Sequence, residues 1–340
     1  MLLEDFQVEV NQINPTFLVT QMIYQEKFEL SSQNAGYFGE QFDVIFIGTR
    51  EKPDKRHENF LAKLSNFKGR VISLQTCENA QKLKYRICDF QGKLVDEKSE
   101  LCLIPDLSKL LKKCDTTSAR VCVDITTLQQ GILFLLVQLL LREIRPATFF
   151  AAYTEPDDYK KKNKEILNEP EEYDLYERII GSSIAVPGFN KRQGQNEVLL
   201  IAQLGFDSQR LQTIYENLKP SHVIPIVGFP SFKPGWNLSA IKMNYLVLKG
   251  AECIDMIKPC EAASPFQMVN LLKEEFNRYS NSFDIYIIPL GTRPHCLGTA
   301  IFATLYPTVY LIYDFPVEKN YRSENVLKTN LYNLTKYIGV

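Results

Sequence analysis

Several signatures of well-known protein classes are missing from this sequence of 340 residues. Its eight cysteines show neither CxxC spacing nor a quartet suited to zinc. We therefore expect reduced thiols, no structural disulfide and no bound metal. The chain contains neither a Walker motif nor a GxGxxG fingerprint. These absences argue against an ATPase and against a dinucleotide enzyme, so we expect no cofactor.

Long apolar runs and a basic leader are missing too. The most apolar segment, Ile132–Leu141, is far shorter than the roughly 20 residues of a membrane-spanning helix. The opening MLLEDFQVEV lacks the basic start of a signal peptide. The formal net charge is −1, so no general basic field points to nucleic acid. We predict a cytoplasmic protein with no membrane contact and no binding to duplex DNA.

An internal repeat is the most informative feature that the sequence does contain. ATFFAAYTEP begins at Ala147 and PTVYLIYDFP at Pro307, so that threonine, tyrosine and proline recur 160 positions apart. PDLSKLLKKC at Pro105 and PFQMVNLLKEEF at Pro265 share the same separation. So long a period indicates a duplicated domain, because repeats of solenoid arrays are typically about 20–50 residues long.

Short, wholly apolar runs alternate with helical patterns in both halves, which predicts an α/β fold. Strands that are apolar on both faces indicate mainly parallel sheets covered by helices on each side. We predict two tandem duplicated Rossmann-like domains. The first occupies residues 1–154 with an N-terminal extension, a charged linker or insertion follows at 155–196, and the second occupies 197–340 with a C-terminal tail.

Ligands of open parallel sheets bind beyond the carboxyl ends of the strands, where helix N-termini favour anions. In the first half these loops include GTREKPDK at Gly48, DITTLQQG at Asp124 and YTEPDDY at Tyr153; in the second they include VGFPSFKPGW at Val227 and PLGTRPHCLG at Pro289. The last is the most distinctive, because glycine, threonine, arginine and histidine together suit a phosphate. The predicted ligand-binding residues are Gly48, Thr49, Arg50, Thr126, Thr127, Gly205, Phe206, Gly291, Thr292, Arg293, His295 and Asp314.

The layout resembles the CARF family of nucleotide-sensing domains and its SAVED relatives, in which two such units are fused. The glycine turns at Gly48 and Gly205 carry the resemblance, together with two strand–threonine–helix turns, Asp124-Ile125-Thr126-Thr127 and Leu290-Gly291-Thr292-Arg293. The resemblance implies a phosphorylated small-molecule or oligonucleotide messenger as ligand. It also implies an effector protein as partner and a role in prokaryotic antiviral defence. The first-half turn lacks the glycine pair and the basic residue of the family's loop, which predicts an asymmetric site.

Other interpretations of these residues remain open. Thr292 and Arg293 suit a helix cap and an ion pair equally well, and a single histidine such as His295 is more often a helix-end donor. Trp236, the only tryptophan, can stack on a base or plug a loop against the core. Local capping likewise accounts for Asp314. An enzyme on the same scaffold also remains possible, either a metal-independent phosphodiesterase resembling a ring nuclease or a nucleotide transferase.

Overall fold

The chain folds into a mixed α/β structure built on two sheets, seen here in a computed structural model. The structure describes residues 26–49, 55–64, 66–76, 82–89, 91–161, 173, 175–178, 184–186, 188–189, 196–314, 316–318 and 323–340.

The larger sheet has eight strands and lies mostly in the first half. They are β1 (Lys27–Leu30), β2 (Val44–Gly48), β3 (Arg70–Thr76), β4 (Lys82–Cys88), β5 (Leu94–Cys102), β6 (Arg120–Asp124), β7 (Thr148–Thr154) and β18 (Thr329–Asn333). Their order is β1-β18-β7-β6-β2-β3-β4-β5. The four strands β7, β6, β2 and β3 are parallel. The outer strands on both sides pair antiparallel.

The smaller sheet contains five parallel strands and one antiparallel edge strand. They are β10 (Ile184–Ala185), β11 (Glu197–Gln203), β12 (His222–Gly228), β13 (Lys258–Cys260), β14 (Phe283–Pro289) and β15 (Tyr310–Tyr313). Their order is β10-β15-β14-β11-β12-β13. Alternate residues of β11 enter different cores, since Leu199 and Ile201 face one side while Leu200 and Ala202 face the other. This two-sided burial explains why the strand is continuously apolar.

Nine α-helices of the described segments cover the sheets. They are α1 (Ala35–Glu40), α2 (Lys55–Lys63), α3 (Leu103–Lys113), α4 (Gln130–Leu139), α5 (Ser208–Leu218), α6 (Trp236–Met243), α7 (Tyr245–Gly250), α8 (Pro265–Tyr279) and α9 (Arg293–Leu305). A π-helical turn at Leu140–Ile144 extends α4. Residues of α1 and α2 cover one face of the larger sheet, and α5, α6 and α7 cover the outer face of the smaller sheet.

Four parallel strands of each half lie in the same order, although the parallel strand β13 of the second half has no parallel counterpart in the first. In the first half, β3-β2-β6-β7 lie side by side, and in the second half β12-β11-β14-β15 do so. Numbered by sequence within these sets of four, which leave out β13, both orders read 2-1-3-4. The strand that contains Thr148 and the one that follows Thr308 occupy equivalent positions in these orders.

Corresponding helices of the two halves meet in the middle of the molecule. Helix α4 packs against α9, and each also packs on a second helix of its own half, α3 and α8 respectively. Nearly every residue of α4 and α9 is buried. One apolar cluster contains residues of both sheets and of these four helices. The apolar run Ile132–Leu141 therefore serves as the interface between the halves, which is why it is apolar on all faces.

The end of the chain departs from the predicted division at residue 197. Strand β18 lies in the larger sheet, between β1 and β7, although the sequence assigned it to a tail of the second half. Leu331 and Tyr332 are fully buried there. Because β18 pairs with β7, it covers a sheet edge that would otherwise present unpaired backbone groups. The N-terminal extension contributes the new edge strand β1.

The segment 155–196 also makes specific contacts where it is described. Its short strands β8 (Asp158–Tyr159) and β9 (Tyr176–Arg178) pair with β17 (Ser323–Glu324) and β16 (Val317–Glu318). Strand β10 extends the smaller sheet beside β15. The insertion is therefore held by the C-terminal part of the chain.

Two further properties concern the described part of the chain alone. No helix there combines the length and the apolar character needed to cross a membrane. Nor do those residues contain a group of three or more histidine, cysteine or acidic side chains arranged to hold a metal ion.

Candidate functional site

A pocket of about 100 Å³ lies at the carboxyl edge of the smaller sheet. We call it the second-sheet pocket. It is lined by Gln130, Tyr159, Leu175, Leu204, Gly205, Phe206, Gly228, Ser231, Phe232, Trp236, Asn237, Ala240, Ala262, Leu290, Gly291, Thr292 and Arg293. A single water molecule needs a cavity of only about 10–15 Å³, so the pocket has room for a larger group such as one aromatic ring.

The pocket occupies the point where the strand order of the smaller sheet reverses. The chain passes from β11 to β12 on one side, and β14 returns to the other side of β11. Leu204 and Gly205 follow β11, while Leu290 and Gly291 follow β14, and all four line the pocket. This crevice between diverging connections is the usual ligand position in open α/β sheets.

Two glycines allow the same close approach in each half. A Cβ atom added to Gly205 would lie 2.1 Å from the carbonyl oxygen of Leu290. One added to Gly48 would lie 2.4 Å from the backbone of Leu128. The end of β2 therefore contacts the turn after β6, the turn after β11 contacts the turn after β14, and only glycine fits at these two positions without backbone movement.

Aromatic side chains form one wall of the pocket. Tyr159 stacks on Trp236 with ring centroids 5.2 Å apart, and Tyr173 stacks on Phe206 at 4.3 Å. Phe206 also meets Trp236 edge to face at 5.5 Å. We call these four residues the aromatic cluster. Tyr159, Phe206 and Trp236 line the pocket and Tyr173 does not, so the insertion contributes to the wall through Tyr159.

An ion pair holds the insertion next to the aromatic cluster. Lys233 Nζ lies 2.6 Å from Asp158 Oδ2, one residue before Tyr159. The pairing lowers the pKa of Asp158 against the opposing effect of burial, and it raises the pKa of Lys233. Both side chains are partly exposed, so we assign this pair a positional role and little stability.

Arg293 lines the pocket and also joins the two halves. It is the first residue of α9, its side chain is 7% exposed, and its Nη1 donates to the carbonyl oxygen of Leu128 at 2.6 Å. No other described residue of the pocket lining carries a charge. Arg293 is therefore the charged residue of the described lining, and its Nη1 is engaged by the first-half turn.

Thr292 acts as the N-cap of α9. Its Oγ1 accepts a hydrogen bond from the backbone N–H of His295 at 3.3 Å and donates to the carbonyl oxygen of Ala262 at 2.7 Å. The helix-cap interpretation of this residue is therefore confirmed. The cap still leaves Thr292 in the pocket lining beside Gly291.

His295 does not supply positive charge at neutral pH. Its ring is 1% exposed, and burial lowers its pKa from 6.5 to about 4. Nε2 lies 3.0 Å from the carbonyl oxygen of Glu261, which can only accept, so Nε2 carries the proton. The expectation that this histidine adds charge to a phosphate site is wrong, because desolvation disfavours the charged ring.

Asp314 lies outside the pocket lining and forms a buried ion pair. Its carboxylate accepts from Arg210 Nε at 2.7 Å and also contacts the second guanidinium nitrogen, Nη2. Arg210 lies over the Tyr313 ring at 5.1 Å. The pair connects α5 to the end of β15, which gives this predicted ligand residue a packing role.

The turn after β6, which contains Thr126 and Thr127, makes side-chain hydrogen bonds within the first half. Thr127 Oγ1 donates to the carbonyl oxygen of Gly48 at 2.8 Å, and Thr126 Oγ1 accepts from the backbone N–H of Thr154 at 3.0 Å. The backbone N–H of Thr49 donates to the carbonyl of Leu74. None of these predicted residues lines the second-sheet pocket. Arg50, predicted with them, lies outside the described residues.

The structure brings together five of the predicted site residues, namely Gly205, Phe206, Gly291, Thr292 and Arg293. Sequence reasoning did not single out Gln130 or Tyr159, although both belong to loops at strand ends that it identified. Their position in the second-sheet pocket depends on the packing of the first half and the insertion against the second. No signal within either loop specifies that packing.

The chain matches no protein-family model and no curated protein sequence.

Proposed function

We propose that this protein binds a nucleotide or oligonucleotide messenger in the second-sheet pocket and passes the signal to an effector protein. One observation carries the proposal, namely that aromatic rings and a guanidinium line one pocket at the point where the strand order reverses. Stacking surfaces for a base and a cation for a phosphate are the two elements that nucleotide binding requires.

The aromatic wall suits the face of a base. Phe206 and Trp236 stand 5.5 Å apart, nearly perpendicular, and Tyr159 closes the wall from the insertion. Stacking of a base on aromatic side chains contributes about 1–3 kcal/mol per base. The pocket volume of about 100 Å³ agrees with a single ring system entering it.

The start of α9 suits a phosphate. Arg293 lies in the first turn of a 13-residue helix whose N-terminus borders the pocket through Gly291 and Thr292. The dipole of a helix favours an anion at its N-terminus, although here Pro294 has no N–H and the N–H of His295 is bonded to Thr292. Arginine adds charge-assisted hydrogen bonds in a planar arrangement that matches phosphate oxygens.

The pocket lining favours binding over catalysis. Its polar residues are Gln130, Ser231, Asn237, Thr292 and Arg293, and the aromatic residues Tyr159 and Trp236 add a hydroxyl and an indole N–H. None of the described lining residues is a carboxylate or histidine that would act as a general acid or base. We therefore place the sensor ahead of the phosphodiesterase and the transferase, and the binding experiment below also measures turnover.

We further propose that the halves arose by duplication of a Rossmann-like unit, as in the CARF and SAVED families that the sequence resembles. The shared 2-1-3-4 strand order supports this, as do the matched contacts of Gly48 and Gly205. In this view, the first-half turn has become a support for the second-half site, because Leu128 holds Arg293. Antiviral defence and the effector follow from the resemblance.

Calorimetry with AMP, GMP, CMP, UMP and linear and cyclic dinucleotides tests the proposal, with chromatography of each mixture to detect turnover. We expect binding without turnover, and a roughly tenfold or greater loss of affinity in Phe206→Ala. Phe229→Ala is the matched control, because Phe229 is 52% exposed and does not line the pocket. Equal affinity in both variants, or no binding by the parent protein, would refute the proposed function.

A further inference from the structure

Half of the exposed large apolar side chains in the described chain lie between positions 238 and 256. They are five of ten such residues, namely Leu238, Tyr245, Leu246, Ile254 and Met256. We call these five residues the outer apolar surface. Leu238 and Leu246 are 65% and 77% exposed. Single apolar residues scattered over a surface need no explanation, whereas a group of them marks an interaction site.

Exposed and buried residues follow helical spacing through α6 and α7. Ala240, Val247 and Leu248 belong to the apolar cluster that lies under these helices. Leu238 and Tyr245 are exposed, and they lie about two helical turns apart. The two helices therefore share one outward face, which continues across the junction between them.

A buried side chain fixes this junction. Asn244 follows α6 and precedes α7, and its Nδ2 donates to the carbonyl oxygens of Ala240 at 2.8 Å and Gly205 at 2.9 Å. The residues Ile254–Met256 form a 3₁₀ turn that contacts α7 and β12. The outer apolar surface thus stands on packed backbone, and a rigid surface loses little conformational entropy when it binds.

The charges around this surface are divided by sign along the chain. Lys242 and Lys249 come first, Glu252 and Asp255 follow, and all four are exposed. A two-fold arrangement that reverses the chain direction brings the basic part of one copy against the acidic part of the other, and each contact occurs twice. An arrangement with the same chain direction would bring like charges together. The surface is therefore complementary to itself.

We propose that the outer apolar surface is an interface between two copies of this chain, related by a two-fold axis, with α6 and α7 antiparallel to their counterparts in the second copy. Its large apolar side chains form the centre and the four charged residues form the rim. An apolar centre with a polar rim is the usual anatomy of a protein interface. The proposal goes beyond nucleotide binding and does not depend on it.

Sedimentation velocity of the full chain at about 1 to 100 μM measures the association. We expect the dimer to predominate at the upper concentration. Leu246→Glu places a charge at the centre of the interface, on a side chain that the folded monomer leaves exposed, and should weaken dimerisation by at least about tenfold. Leu94→Glu is the matched control, because Leu94 is exposed on β5 at the edge of the larger sheet and should leave dimerisation unchanged.

Two double variants test the arrangement of the charges. Lys242→Glu with Lys249→Glu makes the rim wholly acidic, and Glu252→Lys with Asp255→Lys makes it wholly basic. Each alone should dimerise at least about tenfold more weakly than the parent, because like charges then meet. An equimolar mixture of the two should restore dimerisation, because opposite charges then meet at every contact.

A parent protein that stays monomeric at about 100 μM would overturn the proposal and assign the surface to a different partner. Equal dimerisation of the parent and Leu246→Glu would overturn it as well, because the two copies would then meet elsewhere. A mixture of the double variants that is as monomeric as its components would show that the two-fold arrangement is wrong.

Discussion

Arg293, in the first turn of α9, donates a hydrogen bond to the carbonyl oxygen of Leu128 across a distance of 2.6 Å. Leu128 belongs to the turn that follows β6, the first-half counterpart of the turn that contains Arg293. The turn after β6 and the start of α9 therefore contact each other. The first half thus orients Arg293, although none of the predicted ligand residues of that half lines the pocket.

Arg293→Ala should therefore lower both stability and affinity. Loss of a buried hydrogen bond to a charged group should reduce the free energy of unfolding by about 1.5–3 kcal/mol. Nucleotide affinity should fall by about tenfold or more. Urea denaturation and calorimetry measure the two effects. Arg86→Ala is the control, since this arginine is 68% exposed in its pair with Glu97 and should cost well under about 1 kcal/mol. Equal stability of the two variants would contradict the role of the Leu128 contact.

His295 should make stability depend on pH below neutrality. Its pKa is about 4 in the folded protein, below the value of 6.5 that applies to the unfolded chain, because burial disfavours the charged ring. The unfolded chain therefore takes up the proton first, and the free energy of unfolding falls as pH decreases from about 6.5 to 4. The contribution is at most about 3 kcal/mol.

Denaturation at a series of pH values checks this expectation. His295→Gln keeps a side-chain donor for the Glu261 carbonyl and should flatten the dependence in that range. His222→Gln is the control, because His222 is exposed at the start of β12. A parent and a His295→Gln variant with the same slope would show that another group is responsible.

Asp314→Ala should be among the more damaging changes outside the pocket. It leaves Arg210 buried without its carboxylate, which costs about 3–5 kcal/mol. The double variant Arg210→Met with Asp314→Leu should recover much of that loss, because neither charge of the pair then remains buried. Urea denaturation measures both. Asp43→Ala provides the comparison, since Asp43 and Arg120 are partly exposed and their pair should contribute less. Similar losses in the two single variants would refute the distinction.

Trp236 should report on the aromatic cluster by fluorescence, since it is the only tryptophan. It is 8% exposed and stacked on Tyr159. Tyr159→Ala should admit water to the indole and move its emission to longer wavelength. Tyr286→Ala is the control, because Tyr286 stacks on Tyr310, away from the cluster. An unchanged spectrum in Tyr159→Ala would mean that the insertion does not cover Trp236.

The regular elements of both halves were largely predictable from the sequence. Helix α5 spans Ser208–Leu218, where the sequence has a helical pattern, and β2 and β14 coincide with short apolar runs. These elements bury continuous or periodic apolar residues, so local pattern and tertiary environment agree. The hairpin β4–β5 was not predicted. Its sequence is rich in charged residues, and its Leu94 and Val95 are exposed, so the strand pattern is weak.

Within the candidate site, local sequence predicted the residues that follow strands of the second half. Gly291, Thr292 and Arg293 were identifiable because a strand, a short turn and a helix cap occur in one segment. The lowered pKa of His295 could not be predicted, since it depends on burial of the ring in the folded protein, next to the backbone of Glu261 and Cys260. Neither was the pairing of Asp314 with Arg210, which lie 104 positions apart.

By itself, the sequence determined the α/β class, because this depends on periodicities within about ten residues. It also determined the two-part pattern of apolar strands, because similar segments recur 160 positions apart. Only the tertiary structure decided that β18 would close the larger sheet, and that Tyr159 and Gln130 would reach the second-sheet pocket. Those outcomes depend on contacts between residues far apart in the chain. Burial of sheet edges and helix faces selects such contacts from many arrangements that are compatible with the same local pattern.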